Sequence, residues 1–163
     1  MSVGLKKYRA CDSILSKMNF EIKRFDELST TELYELLVLR SAVFVVEQDC
    51  AYQDVDGKDM NAIHVLGKVN GRVEAYLRIF RPGDYFETTS IGRVVVAKTS
   101  RKKGYAREIM NRAMGYVVNS LNEKKVTLSA QMYLRDFYED LGFKAKGEEY
   151  LEDGIPHIKM IYG

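Results

Sequence analysis

A basic, glycine-containing loop between a strand-like run and a helical pattern is the part of this sequence best suited to chemistry. Residues 101–106 read Arg-Lys-Lys-Gly-Tyr-Ala and follow the apolar run 91–97. A strand-to-helix loop of this kind aims several backbone N–H groups at one point, where an anion fits. Gly104 and the small Ala106 let the backbone approach the ligand, and the basic side chains add positive potential. The residues assigned to anion binding are Arg101, Lys102, Lys103, Gly104, Tyr105 and Ala106.

The same loop also fits a solvated turn that only connects two elements, and the pattern alone leaves both interpretations open. Two better-known phosphate loops are excluded. No Gly-Lys-Ser/Thr ending is present, as a nucleotide P-loop requires, and the three-glycine dinucleotide fingerprint is missing.

The composition is typical of one compact domain, because 163 residues with 46% hydrophobic content can bury a core. Net charge is only +2, so no basic surface indicates nucleic acid as a partner. Two isolated cysteines, Cys11 and Cys50, indicate neither a disulfide framework nor a metal site and fit the reducing cytoplasm. No apolar stretch approaches membrane-spanning length, so no membrane partner is expected.

Two local signals define the amino-terminal half. Ser29-Thr30-Thr31-Glu32 matches a capping box and predicts a helix start, followed by an apolar stripe on or near which Arg40 falls. The polar segment 54–59 contains Asp-x-Asp-Gly, which is part of a calcium loop. The remaining ligand pattern and the closing glutamate are absent, so a solvated turn without metal is predicted.

Asn70-Gly71 is the clearest turn in the chain, because both residues tolerate positive φ. It joins two β-rich runs at 62–69 and 73–80 and predicts an antiparallel hairpin. Further strands are expected at 91–96, 126–130, 143–150 and 158–162, and helices at 104–121 and 133–141. This order of elements indicates an α/β fold.

The loop motif Arg-x-x-Gly-x-Ala after a Val-rich strand is similar to the acetyl-CoA-binding motif of the GCN5-related N-acetyltransferases (GNAT). Residues 128–131 and the Phe-Tyr-x-x-x-Gly-Phe at 137–143 resemble a later strand and helix of the same family. A helix of about the family's length lies between the two matches. The ElaA-type subgroup is the most similar in the segments 39–48, 52–57 and 154–158. The resemblance covers most of the chain from Phe20 onward.

This resemblance implies the GNAT fold, a mixed, mostly antiparallel twisted sheet flanked by helices and splayed at the cofactor-binding strand. Residues 19–25 look like the family's first strand, so 18–163 would form a single N-acetyltransferase domain and 1–17 an N-terminal extension. The implied protein is a cytoplasmic enzyme that transfers acetyl from the cosubstrate acetyl-CoA directly to an amine of a small molecule or protein. A homodimer is compatible with the sequence.

Two other functions remain open. Arg-x-x-Val-Phe at 40–44 is also similar to acyl-homoserine-lactone synthases, which share the fold but use an acyl carrier and a methionine derivative. A CoA-binding sensor or interaction module without catalysis is the second alternative.

Acetyl transfer to an amine needs an oxyanion donor, a proton for the departing thiolate and a deprotonated nitrogen. By resemblance, backbone N–H groups at Val94, Val95 and Val96 stabilise the oxyanion, and Gln131 bonds the pantetheine chain. Tyr138 occupies the position of the acid that protonates the thiolate, although a tyrosine that only packs helix against sheet fits equally well.

The general base is left unassigned, because residues 90–93 offer no carboxylate where some family members place a glutamate. Four side chains could act through a bound water: Glu47, Asp54, His64 and His157. Arg40 and Arg93 could instead hold an anionic group of the acceptor.

Overall fold

The protein is described by a computed structural model that covers residues 17–163. The predicted N-terminal extension, and Cys11 within it, therefore lies outside the described residues apart from Lys17. In the described part, no helix is both long and apolar enough to cross a membrane.

Within residues 17–163, one eight-stranded sheet carries three α-helices. The strands are β1 Asn19–Arg24, β2 Ile63–Val69, β3 Arg72–Phe80, β4 Thr89–Val96, β5 Val126–Gln131, β6 Lys144–Ala145, β7 Tyr150–Glu152 and β8 Ile155–Tyr162. The helices are α1 Thr30–Arg40, α2 Tyr105–Asn119 and α3 Arg135–Glu139, and α1 continues as a π-helix over Ser41–Glu47.

The strand order is β1-β2-β3-β4-β5-β8-β6, with β7 paired to β8 beside this path. Each pairing is antiparallel except the one between β4 and β5. The predicted mixed, mostly antiparallel sheet flanked by helices is thus confirmed.

Period-two alternation sends neighbouring side chains of the sheet into two separate cores. Val65 and Leu77 face the core that contains Ile109 and Met110 of α2. Their neighbours in sequence, Leu66 and Tyr76, pack instead with Leu36, Leu39 and Val43 on the α1 side. The sheet therefore separates an α2/α3 side from an α1 side, and a ligand that passes through the sheet would contact both.

The Asn70-Gly71 hairpin is confirmed, with φ of 52° at Asn70 and 80° at Gly71 between antiparallel β2 and β3. The predicted strand 143–150 is wrong in extent. Within it only Lys144–Ala145 and Tyr150 lie in strands, because Gly147 adopts a φ of 87° and turns the chain between β6 and β7. The last strand begins at Ile155 rather than at residue 158.

The capping box at the start of α1 is also confirmed. Ser29 Oγ accepts from the Glu32 amide at 3.1 Å, and Glu32 Oε2 accepts from the Ser29 amide at 2.7 Å. These two bonds satisfy donors that the first helical turn would otherwise leave unpaired.

We expect Ser29→Ala to lower the free energy of unfolding by ~1 kcal/mol, because the side-chain acceptor of the cap is lost. Thr31→Ala is the matched control, since Thr31 is exposed in the same turn and the cap bonds do not involve it. Urea unfolding of both variants measures the difference. Equal stability of the two variants would contradict the role of the cap.

Candidate active site

The sheet opens between β4 and β5. Their ladder consists of Thr89 with Val126 and Ser90 with Thr127. Beyond Ser90 the two strands separate, while β5 stays paired with β8 along its whole length. The β4 edge from Ile91 onward thus faces an opening, and its main-chain groups there have no β5 partner among residues 17–163. This is the splay that the family resemblance implied.

A β-bulge lies on β4 at the opening. Tyr76 pairs with Val95 and Arg78 pairs with Gly92, so the single residue Leu77 stands opposite two residues, Arg93 and Val94. Arg93 adopts a φ of 54°, the left-handed conformation that a non-glycine residue seldom occupies. The bulge turns the backbone at Arg93 and Val94 away from the regular ladder, at the strand predicted to stabilise an oxyanion.

A cavity, here called the central cavity, passes through this opening. Its walls include Gly92, Arg93 and Val94 of β4, Gln131 of β5, Tyr138 of α3 and His157 of β8. Five of these wall residues were predicted as site residues from the sequence: Arg93, Val94, Gln131, Tyr138 and His157. Val95 and Val96 do not line it, because their side chains enter the two cores.

A second cavity, here called the loop cavity, lies at the amino-terminal end of α2. It is lined by residues of the predicted anion loop, including Arg101, Lys102, Gly104, Tyr105 and Ala106, whereas Lys103 is exposed and does not line it. Gly104 caps the helix with a φ of 81°, and a Cβ placed there would meet no atom within 4 Å. The space before the helix start is therefore open, and the helix end favours an anion in it.

The end of the π-helix reaches both sides of the opening. Glu47 accepts two bonds from Arg101, at 2.6 and 2.9 Å, and this pairing lowers the pKa of Glu47. The side-chain amides of its neighbour Gln48 and of Gln131 on β5 form two hydrogen bonds with each other, at 3.3 and 3.1 Å. Residues 47–48, here called the strap, thus hold two of the side chains predicted to bind the cosubstrate.

A buried ion cluster supports the β4 bulge from the α1 side. Its members are three arginines and three aspartates: Arg40, Arg78, Arg93, Asp54, Asp56 and Asp59. Arg40 contacts Asp54 at 2.8 Å and Asp59 at 2.7 Å, and Arg78 contacts Asp56 at 2.5 Å and Asp59 at 2.8 Å. Arg93 completes the cluster with a 2.8 Å contact to Asp54.

The cluster corrects the prediction that segment 54–59 is a solvated turn. The segment is a loop, but Asp54 and Asp59 are each only 6% exposed, because the three arginines draw their carboxylates inward. No group of His, Cys, Asp and Glu side chains suited to a metal ion occurs among the described residues.

Arg40 and His64 do not line the central cavity. Arg40 is completely buried and bonded inside the cluster. His64 is equally buried, and its two ring nitrogens bond the Tyr76 hydroxyl at 2.8 Å and the Asp59 carbonyl at 2.9 Å. Burial lowers the pKa of His64, which keeps it neutral. Neither side chain can contact an acceptor, so we assign both to the scaffold beneath the site.

Tyr138 is 5% exposed and packs edge-on against Phe137 and Phe143 on the α2/α3 side of the sheet. Burial raises the pKa of its hydroxyl well above the ordinary value. The phenol therefore keeps its proton at neutral pH. Packing and proton donation are compatible here, because the ring fills the core and the same residue lines the central cavity.

An open mixed sheet with a glycine-capped helix start defines the class of this protein. Residues 34–162 match the model of the acetyltransferase (GNAT) domain. The chain is 44% identical to Protein ElaA of Escherichia coli (strain K12) over 136 residues, which is 82% of this chain and 89% of that protein. The chain belongs to the GNAT acetyltransferase family and is ElaA-like.

Solved structures agree with this assignment. The crystal structure of an acyl-CoA N-acyltransferase from Pseudomonas aeruginosa is 40% identical, with a TM-score of 0.84 over 90% of this chain and 100% of that one. The acyl-homoserine-lactone synthase LasI has a TM-score of 0.74 over 90% of each chain. Its identity is only 16%, so that likeness shows a shared fold alone.

We expect Asp59→Asn to destabilise the protein by ~3–5 kcal/mol, because Arg40 and Arg78 would remain buried with one carboxylate fewer. Asp26→Asn is the control. Asp26 forms an exposed pair with Arg24, so its loss should cost less than ~1 kcal/mol. Urea unfolding at neutral pH measures both, and a variant Asp59→Asn as stable as the wild type would contradict the role of the cluster.

The difference in the free energy of unfolding between wild type and Asp59→Asn should also depend on pH. Burial raises the pKa of Asp59, but hydrogen bonds from Arg40 and Arg78 outweigh burial and lower it below its ordinary value. A lowered pKa stabilises the folded state above the unfolded value of ~3.9, and this contribution is lost as the pH falls through the folded pKa. The gap between wild type and Asp59→Asn should therefore shrink below about pH 4.

Proposed function

We propose that this chain is an acetyl-CoA-dependent N-acetyltransferase that transfers the acetyl group directly to an amine. The observation that carries the proposal is the presence of an opened β4 edge together with a helix start whose Gly104 lines a cavity. Bound acetyl-CoA would supply an activated acyl carbon and a thiolate leaving group.

The residues present fit this cosubstrate. The helix start at Gly104 and the guanidinium of Arg101 would hold the pyrophosphate. Arg101 would have to exchange the Glu47 carboxylate for phosphate oxygens. This exchange is inexpensive, because both side chains of the pair are more than one third exposed and exposed pairs contribute little. Gln131 would give up its hydrogen bonds with Gln48 and form hydrogen bonds with the pantetheine chain.

Two groups would act on the reacting centre. The Val94 N–H at the bulge would donate to the oxyanion, and this role depends on main-chain geometry rather than on the valine side chain. The Tyr138 hydroxyl would donate its proton to the thiolate. Its raised pKa makes that transfer more unfavourable than for an ordinary phenol, so the donation depends on close placement.

Gly104→Glu should abolish the stabilisation of the protein by acetyl-CoA, because a carboxylate would stand where the phosphates bind. For the wild type, ligand at 100 times its Kd should add ~2.7 kcal/mol, seen as a rise in Tm. Gly147→Glu is a matched control, since Gly147 has a similar φ of 87°, equally open space and no place in either cavity. Full stabilisation of Gly104→Glu by acetyl-CoA would refute the loop assignment.

The same preparations distinguish the alternative functions. An N-acetyltransferase releases free thiol from acetyl-CoA when a panel of amines is added. A sensor module would bind acetyl-CoA but release no thiol with any amine. A synthase of the acyl-homoserine-lactone type would instead require an acylated carrier protein and form a lactone.

Tyr138→Phe should lower kcat by ~10²-fold or more while acetyl-CoA binding stays unchanged, because only the proton donor is removed. Tyr162→Phe is the control, since Tyr162 packs against Phe143 but lines neither cavity. Steady-state thiol release measures kcat, and the shift in Tm measures binding. An unchanged kcat in Tyr138→Phe would assign this residue to packing alone.

A further inference from the structure

His157 faces the central cavity from the side opposite to Tyr138. Alternation along β5 and β8 places Leu128, Ala130, Ile158 and Met160 in the core on the α2/α3 side. His157 pairs with Gln131 and shares the other face of the sheet with it. Tyr138 lies on the α2/α3 side, and the cavity through the opening reaches both residues.

The hydrogen bond of His157 fixes which ring nitrogen is free. Nδ1 lies 2.8 Å from the Ile155 carbonyl oxygen, which can only accept, so Nδ1 carries the hydrogen and donates it. In the neutral ring, Nε2 then holds the lone pair. No described residue bonds Nε2, and the ring is stacked on Tyr150 at an interplanar angle of 25°. His64, by contrast, has both ring nitrogens occupied.

On the polar face around His157, the Glu152 carboxylate is fixed by hydrogen bonding. Ser129 Oγ donates to Glu152 Oε2 at 2.7 Å and lies 2.5 Å from the Tyr150 hydroxyl. Ser129 and Gln131 occupy the same face of β5, so Glu152 and His157 border one side of the central cavity. A carboxylate positioned there attracts a cation to the side of the sheet on which His157 lies.

Other charged groups near His157 come from several elements. The titratable groups that line the cavity beside His157 are Cys50, Tyr52, Arg78, Tyr85, Arg93, Tyr138, Glu152 and Asp153. Tyr150 of β7 stacks on His157, and Lys159 lies two residues further along β8. The two arginines are already paired with the aspartates of the ion cluster. Lys159 lies over the Phe86 ring, 5.8 Å from its centroid. Glu152 and Asp153 are therefore the carboxylates that line the cavity outside the ion cluster, and Glu152 is bonded by the Ser129 hydroxyl rather than by a cation.

We infer that His157 Nε2 is the general base for the acceptor, and that the acceptor is a primary amine that enters as an ammonium ion beside Glu152. This inference rests on the proposed N-acetyltransferase function and adds the acceptor class and the base to it. The opposite placement of His157 and Tyr138 keeps the proton acceptor and the proton donor on separate sides of the reacting carbon.

The proton balance of the step is complete. Nε2 takes one proton from the ammonium ion, and the freed lone pair on nitrogen forms the C–N bond to the acyl carbon. The C–S bond breaks, and the thiolate takes the proton of the Tyr138 hydroxyl. The nitrogen of the new amide and the imidazolium each release one proton to solvent, and the tyrosinate recovers one proton from solvent.

The test compares His157→Gln and His157→Ala with wild type, using a panel of alkylamines, polyamines and lysine-containing peptides. We expect kcat/KM for the amine to fall by ~10²-fold or more in both variants, while the Tm shift with acetyl-CoA is unchanged. Added imidazole should restore part of the activity of His157→Ala. The acidic limb of the wild-type pH profile of kcat/KM should vanish in His157→Gln.

Glu152→Gln tests the acceptor class separately. It should raise KM for cationic amines several-fold and leave the Tm shift with acetyl-CoA unchanged, and an unchanged KM would overturn the ammonium assignment.

The outcomes separate this inference from the function on which it rests. A wild type that binds no acetyl-CoA and releases no thiol with any amine overturns both. An active wild type with an equally active His157→Gln, or with the same pH profile in both proteins, overturns the base assignment alone. Loss of acetyl-CoA binding in His157→Gln would also overturn it, because a base for the amine should not affect cosubstrate affinity.

Discussion

The buried ion cluster is the interaction on which the geometry of the site depends. It connects Arg40 at the end of α1, the aspartates of segment 54–59, Arg78 on β3 and Arg93 at the β4 bulge. Replacing buried ion pairs with apolar residues of similar shape is often neutral or stabilising, so net stability is not a sufficient reason for the cluster. Its geometric effect is specific. Arg93 leaves the regular strand conformation where it bonds Asp54, and this departure coincides with the bulge.

The opening of the sheet follows from unequal pairing around β5. Along β8, β5 keeps six residue pairs, whereas along β4 it keeps two. Main-chain groups on the freed β4 edge are strong donors and acceptors, and an unpaired edge is a template for any partner that can bond to it. A ligand that supplies such partners would recover the bonds that the sheet gives up. The rigid pairing of β5 with β8 also fixes Gln131 and His157 relative to the gap.

Local signals in the sequence predicted the features whose causes are local. The capping box needs only Ser29 and Glu32, the hairpin needs only Asn70 and Gly71, and the helix start needs Gly104 with its positive φ. The ion cluster could not be predicted in this way, because its partners are 14 to 39 residues apart in the chain. One signal for it existed. Arg40 lies on or near an apolar helical stripe, and an arginine buried there requires carboxylate partners. Three aspartates occur in segment 54–59.

The strap was likewise missed, since nothing in residues 47–48 alone indicates that they bridge the opening. Its consequence concerns the free-energy cost of ligand binding. Arg101 and Gln131 are already bonded to Glu47 and Gln48, so a ligand gains only the difference between its own bonds and those that it replaces. Both side chains of the Arg101–Glu47 pair are more than one third exposed, so replacing this pair costs little, and in the proposed complex a pyrophosphate would add bonds to the helix start. The strap therefore preorganises both side chains at a small cost to the ligand that replaces it.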